Sequence, residues 1–377
     1  MSLLRPTGPS LQIVQAQSDD QAIAGWLNEY ADTENTYNAY AKEASRLLMF
    51  LRLYRLTLNT LNRQDIETFK RFLRNPPQEL IGPPKPRKHP EWRPFAAPLS
   101  DTGLRYTLRA ARNLMGYLLN VGYVERNPFA LIREKRQSDT TMQERYLDNE
   151  AWSLVKQALR KMPEDDHTQL AKKIRARWVV SFLYLTGARR SEAAAAEMSD
   201  FRNVGGRWWW YVNGKGSKRA QVPVSGDLLS ELMLYRRHLG LMTLPNPDEP
   251  YPAILPLPTA SGEFSCRFLN DKRISVIVDD VFKRAAELAT SEGQRRQLLN
   301  ATAHWIRHTS ATHQIELGLP VQHVSAILRH SKIDTTLRYV HQDRREQHDR
   351  QQSFKINMGD TDEDLPRPSD PTDPETA

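Results

Sequence analysis

A single cysteine, Cys266, stands among 377 residues. One thiol can close no intrachain disulfide and build no cysteine-based zinc cluster, so the fold is expected to rest on buried apolar side chains in a reducing compartment. No apolar run approaches the length of a membrane span, so no membrane partner is expected. Met1 to Asp20 holds no basic region followed by an apolar stretch, so a secretory signal is not expected and the chain reads as cytoplasmic. A glycine-rich phosphate loop ending in Gly-Lys-Ser/Thr is missing, which disfavours ATP-driven chemistry. His304 and His308 lie four residues apart, but Trp305 stands where a His-Glu-x-x-His motif needs glutamate, and no third ligand is evident. Neither a metal nor any other cofactor is therefore expected. There is no internal repeat.

Positive charge is plentiful. The formal net charge is +8, and it is unevenly spread. From Gly359 onward seven acidic residues face one basic residue, Arg367, so this tail carries −6 and the remainder +14. A body that basic fits a polyanionic partner, most simply nucleic acid. The plainer alternative is a soluble protein with surplus lysine and arginine on its surface. The length suits two or three domains with well-buried cores.

Apolar spacing outlines the elements. Residues 1–18 hold no apolar period and read as a flexible arm. Helices are expected at Gln21 to Tyr30, after the capping pair Asp32-Thr33, at Arg63 to Leu73, and from the cap Ser100 to Gly122. Together these make a helical domain over residues 19–137. Asn75 to Pro98 interrupts it, rich in proline and carrying Lys85, Arg87, Lys88, His89 and Arg93. That stretch reads as a solvated loop or as a basic arm for a nucleic-acid backbone. Arg133 to Thr141 reads as a linker. A second domain, residues 138–357, begins with a helix capped at Asp148, followed by an apolar helix ending at Gly187 and a further helix from Ser191 to Met198. Three antiparallel strands are expected at 201–204, 207–213 and 220–225, with a Gly-Lys-Gly hairpin joining the last two. In Trp208-Trp209-Trp210, alternation sends the outer two to one face and Trp209 to the other. Helices return at 227–239 and 271–290, while Pro245 to Pro258 and the stretch on to Leu269 read as a surface excursion. The polar run 342–352 could extend a last helix, and residues 358–377 read as a disordered acidic tail. The expected fold is thus mainly α with a small antiparallel β-sheet.

The chemistry concentrates late in the chain. His304 and Arg307 are three apart and share a helical face. Val321, Val324, Ile327 and Leu328 have helical spacing and deliver His330, and Asp334-Thr335-Thr336 opens a short helix leading to Tyr339. Upstream lie Thr186-Gly187-Ala188-Arg189-Arg190-Ser191-Glu192 and Gly214-Lys215-Gly216-Ser217-Lys218-Arg219. Two arginines, Arg189 and Arg307, can fork onto the non-bridging oxygens of a phosphodiester. His304 and His330 can hydrogen-bond the phosphate and the nucleophile, and Lys215 on a flexible tip can protonate a leaving oxygen. Tyr339 would attack; its phenol, with an ordinary pKa of about 10, needs an electropositive pocket or a histidine base. Each piece alone is commonplace: a helical His-x-x-Arg is usually structural, Gly-Lys-Gly is usually a turn, and a tryptophan cluster usually packs a sheet.

Order and spacing together resemble the tyrosine recombinases, the class of Xer, Cre and phage integrases. Residues 186–192 are similar to that family's Thr-Gly-Leu-Arg-x-Ser-Glu box, with Ala188 in place of leucine. Gly214-Lys215-Gly216 with Val222-Pro223-Val224 resembles its β-hairpin lysine element, and His304-Trp305-Ile306-Arg307-His308 its His-x-x-Arg-His box. Leu328-Arg329-His330-Ser331 and Thr335 to Tyr339 look like its closing segment, nine residues separating His330 from Tyr339. The likeness spans about residues 145–345 by motif, and more loosely the helical domain, which would be the family's core-binding domain.

The resemblance implies a C-shaped clamp around double-stranded DNA. It implies that Arg189, Arg307 and His330 stabilise a pentavalent phosphate and that Lys215 protonates the departing 5′ oxygen. His304 would assist proton transfer, Tyr339 would form a 3′-phosphotyrosyl link, and Glu192, with His308, would support the arginine site. Lys85, Arg87, Lys88, Arg190, Lys218 and Arg219 are expected on DNA. Arg329 replaces the usual glycine and would add charge near the phosphate or face solvent. A homotetramer on paired sites is implied, with partner recombinases or accessory DNA-bending proteins possible and a nucleoid location. The two long proline-rich stretches favour the integrase or transposase of a bacterial mobile element over an Xer-type chromosome dimer resolvase. A type IB topoisomerase-like relaxer and a catalytically silent architectural or regulatory DNA-binding protein stand as alternatives.

Overall fold

The computed structural model describes residues 16–83, 85–86, 89–132, 145–213, 219–259, 263–330 and 333–337. Arg87, Lys88, Lys215, Lys218 and Tyr339 lie outside them, as do residues 1–15 of the N-terminal arm, the linker, the run 342–352 and the acidic tail. The chain divides into two compact units between Thr140 and Thr141.

The first unit contains α1 (Asp19–Asn28), α2 (Glu34–Leu53), α3 (Arg63–Arg74) and α4 (Asp101–Asn120). Ser18 and Ser100 each accept a backbone N–H of the first turn they precede, and Asn62 and Asp65 form a reciprocal capping box. Thr33 stands at the start of α2 without capping it; its hydroxyl donates back to the Tyr30 carbonyl at 3.2 Å. Trp26, Phe50, Phe69, Phe72, Phe95, Met115 and Phe129 fill the core. Each such side chain contributes about 2 kcal/mol on burial.

Phe95 changes the account of the proline-rich stretch. Its ring is fully buried beneath the Arg46 guanidinium, 5.0 Å away, and its backbone exchanges hydrogen bonds with Leu80 and Gly82. The connection is stitched into the core at its end, where the sequence suggested a solvated loop. One buried aromatic outweighs the surrounding polar residues.

The second unit opens with α5 (Asn149–Arg160) and α6 (His167–Thr186), capped by Asp148 and Asp166. Helix α7 (Arg190–Ala195) follows, then a 3-10 turn (Met198–Asp200) and the strands β1 (Phe201–Val204), β2 (Arg207–Asn213) and β3 (Arg219–Pro223) in the order β1-β2-β3. Trp210 pairs with Phe201 and Val222 and is fully buried, while Trp209 lies on the opposite face. The remaining helices are α8 (Gly226–His238), α9 (Asp271–Glu287), α10 (Glu292–Asn300), α11 (Ala303–Glu316), α12 (Val321–Leu328) and α13 (Asp334–Leu337).

Two expectations are corrected here. The stretch 245–258 is no surface excursion: Ala253, Ile254 and Leu255 are at most 2% exposed, and the Trp178 indole donates to the Ala253 carbonyl at 2.8 Å. The helix expected to run to Met198 stops at Ala195 for the same reason. The Ala196 carbonyl accepts from the Ala253 N–H at 2.7 Å and the Met198 N–H donates to Tyr251 at 2.8 Å. A short backbone bridge to a distant segment replaces the last helical turn. Helix α10 is a separate element that apolar spacing did not reveal; only Leu298 in it is buried.

Candidate active site

Three segments meet at two backbone carbonyls. Helix α6 ends at Gly187, whose φ of 57° is left-handed. A Cβ there would also come within 2.5 Å of the Leu328 side chain, so the position needs glycine on two grounds. The turn puts Arg189 at the start of α7. On α11, Arg307 is 3% exposed, and its guanidinium donates to the Gly187 carbonyl at 2.5 Å and to the Leu328 carbonyl. One buried arginine thus ties the end of α6 to the end of α12.

Glu192 is the second tie. It is 7% exposed and accepts the Arg189 backbone N–H at 2.8 Å and the Arg189 side chain at 2.6 Å. The Arg189 side chain takes Oε1, while Oε2, which holds the Arg189 backbone N–H, also accepts the Arg329 guanidinium at 2.6 Å. Burial alone would raise the Glu192 carboxyl, but Arg329 and the Arg189 donors outweigh it and hold the group below its usual range.

Arg329 follows α12 in left-handed backbone, φ 57°, at a cost of about 1 kcal/mol for a non-glycine residue. Its side chain is only 7% exposed and lies 5.5 Å from the Trp210 ring. The expectation that it could simply face solvent is therefore corrected: the carboxylate and the indole draw it inward.

The histidines line the same place. His304 and His308, one turn apart on α11, sit edge to face with ring centroids 4.4 Å apart. The Nδ1 of His330 lies 2.7 Å from the buried Thr336 hydroxyl on α13. That contact orients the ring and leaves Nε2 on the other edge. Desolvation first, then Arg307 and Arg189, lower His304 below the usual imidazole value. Desolvation, then His304 and Arg307, bring His308 down to about 4. Desolvation, then Arg307, Arg189 and Arg329, do the same for His330. At neutral pH these rings are uncharged and can take a proton, and an anion brought among them would strengthen that tendency. Such a cluster can bind a phosphodiester and manage protons around it.

The structure therefore brings Arg189, Glu192, His304, Arg307, His308 and His330 together. Lys215 and Tyr339 lie outside the described residues, although the strand ends at Asn213 and Arg219 pair with each other and α13 runs to Leu337. Arg190 donates to Ser275 at 2.6 Å and pairs with Asp271 at 2.8 Å, so its charge is engaged within the unit. Arg219 is exposed at the base of the hairpin, and Lys85, in the other unit, pairs loosely with Glu91 at 3.6 Å. Sequence reasoning assigned no role to Thr336, Arg145 or the Arg329–Glu192 pair. The Thr335-Thr336 pair was a visible signal for the first; nothing local places Arg145 near His304 and His308, whose protonation it disfavours.

Residues 153–346 match the model of the phage integrase family. A tyrosine recombinase XerC of Staphylococcus aureus is 23% identical over 315 residues, covering 82% of this chain and 86% of the relative. A XerC of Lacticaseibacillus casei is 26% identical over 247 residues, covering 64% and 72%. Among solved structures, the XerH site-specific recombinase bound to a palindromic difH substrate, a post-cleavage complex, superposes with a TM-score of 0.60 at 17% identity, over 90% of this chain and 85% of that one. The Tn1549 transposon integrase in complex with transposon right end DNA does so at 0.57 and 14%, over 89% and 99%. These likenesses show a shared fold.

Proposed function

The chain belongs to the phage integrase family of site-specific tyrosine recombinases, and we propose that it cuts and rejoins double-stranded DNA through a covalent phosphotyrosyl intermediate. Tyr339 attacks the scissile phosphorus, the bond to the 5′ oxygen breaks, and Lys215 returns a proton to that oxygen. Arg189, Arg307 and His330 hold the non-bridging oxygens as charge builds on them, and His304 takes part in proton transfer. The phosphotyrosyl bond keeps the energy of the broken linkage. A 5′ hydroxyl from the partner strand attacks it in turn, so rejoining needs neither ATP nor metal.

The observation that carries this reading is that Arg307 bonds the Gly187 and Leu328 carbonyls, which brings Arg189, two residues after the first, and His330, two residues after the second, into one electropositive cluster with it. Arg219 and Lys218 at the hairpin, and Lys85, Arg87, Lys88 in the helical unit, are proposed to track the DNA backbone, with Arg190 contributing beside them. A homotetramer on paired sites would act, with accessory or partner proteins, in the cytoplasm at the nucleoid; no described helix is long and apolar enough to cross a membrane. We assign the biological role to a mobile-element integrase, supported by the two long proline-rich stretches at 75–98 and 245–258. The Xer-type role is the second reading, favoured by the extent of the XerC alignments.

The test uses nicked, labelled duplexes tiled from the DNA flanking the gene. A covalent complex on a denaturing gel, lost in Tyr339→Phe and kept in a surface tyrosine control, is expected. Salt-sensitive binding without any complex would instead favour the silent regulatory alternative.

A further inference from the structure

Resting on the recombinase reading above, we propose that Arg329 is a positioning residue. It occupies one oxygen of Glu192, so that Arg189, held by the other, keeps its charge and remaining N–H donors for a phosphate. The argument is one of stoichiometry and exposure. Glu192 is a single buried carboxylate between two guanidiniums, each at 2.6 Å. The Arg189 side chain is 38% exposed while Arg329 is 7% exposed. Arg329 turns its donors to the Glu192 carboxylate and the Ile327 carbonyl, whereas the Arg189 side chain stays half-exposed. The trio carries one net positive charge, and that charge sits on the accessible side.

Three further contacts fix Arg329 in this role. It donates to the Ile327 carbonyl at 2.6 Å, reaches toward the Gly187 carbonyl at 3.5 Å, and lies against Trp210. It therefore touches the carbonyl that Arg307 also holds, and links the sheet to the ends of α6 and α12. Without Arg329, the carboxylate would have Arg189 as its only cation among the described residues. A two-point embrace of Glu192 by Arg189 would then neutralise the pair and turn the guanidinium away from the phosphate. The left-handed backbone favours glycine at this position, so retaining arginine there requires a compensating contact, and the carboxylate supplies it.

The experiment compares the full-length protein with Arg329→Gly, Arg329→Lys, Glu192→Gln and the Glu192→Gln/Arg329→Gly double variant. Glycine is at ease at this φ, so Arg329→Gly should fold; its thermal midpoint checks that. The first readout is the rate of covalent complex formation on saturating nicked duplex. Arg329→Gly should slow it by about 10- to 100-fold, the usual cost of losing an orienting partner, with duplex affinity nearly unchanged. Arg329→Lys should restore most of the rate. In the Glu192→Gln background, Arg329→Gly should add little, because no carboxylate remains to be shared. A purely structural plug predicts the opposite: losses that multiply, and no rescue by lysine. The second readout needs no DNA. Inorganic phosphate, followed through the His330 imidazole signals by NMR, should bind about ten-fold more weakly to Arg329→Gly. Cleavage and phosphate binding both at the parent level in Arg329→Gly would overturn the proposal while leaving the recombinase reading intact. If the parent protein itself forms no covalent complex, the recombinase reading fails, and the phosphate titration alone decides the role of Arg329.

Discussion

Each unit of this chain buries an arginine against a glutamate, and the two clusters are built to different ends. In the helical unit Arg46 donates to both oxygens of Glu43 at 2.7 and 2.8 Å, sends its Nε to the Pro94 carbonyl at 3.1 Å, and covers Phe95. Thr107 donates to the same carboxylate at 2.6 Å. One cation meets one anion, both side chains are 6% exposed, and the cluster is closed. In the second unit Glu192 meets two arginines, one of them half-exposed. Charge that balances inside a core serves stability; charge left over at a surface can serve a ligand. The fully buried Arg236, bidentate on Glu249 at 2.6 and 2.7 Å, belongs with the first kind although it lies in the second unit. Location in the catalytic unit is not the criterion.

Substitutions can break that contrast. The largest effect is expected from Arg307→Ala, which removes a proposed phosphate ligand and frees the Gly187 and Leu328 carbonyls at once. Covalent complex formation should fall at least about 1000-fold, and a fall below ten-fold would remove Arg307 from the site. Next, Arg46→Ala should destabilise the helical unit by about 3 kcal/mol, since it strands a buried carboxylate. Denaturant melts would register it, while the phosphate affinity of the second unit stays unchanged; a changed affinity would sink the separation of the two clusters.

The smallest effect concerns pH. His308 has a folded-state pKa of about 4, below the ordinary value near 6.5. The unfolded chain therefore takes up a proton before the native one does. Stability is full above about pH 6.5 and is lost as the pH falls from there towards 4. His308→Gln should flatten that part of the stability curve, and equal slopes in the two proteins would refute the burial argument.

Much of the site was legible in the chain. His304 and Arg307 had to share a face once their helix formed, and Gly187 announced the stop that presents Arg189. The missing parts were those that depend on distant partners. Ala253 and Phe95 sit in proline-rich stretches whose composition says loop, yet each is fully buried, because a single apolar side chain beside a core takes more from burial than its polar neighbours lose. The role of Arg329 was hidden for a similar reason. Its partner Glu192 lies 137 residues away, and no local pattern states which of two nearby cations a carboxylate will take.

By itself the sequence determined most of the helices, the three-stranded sheet, the family and the chemical types gathered for the reaction, since periodicity, capping and motif spacing are local properties of the chain. The tertiary structure alone decided which of those charges are spent and which remain on offer. That depends on burial and on pairing across the fold, where a few ångströms decide whether a guanidinium meets a carboxylate or a solvent-facing pocket.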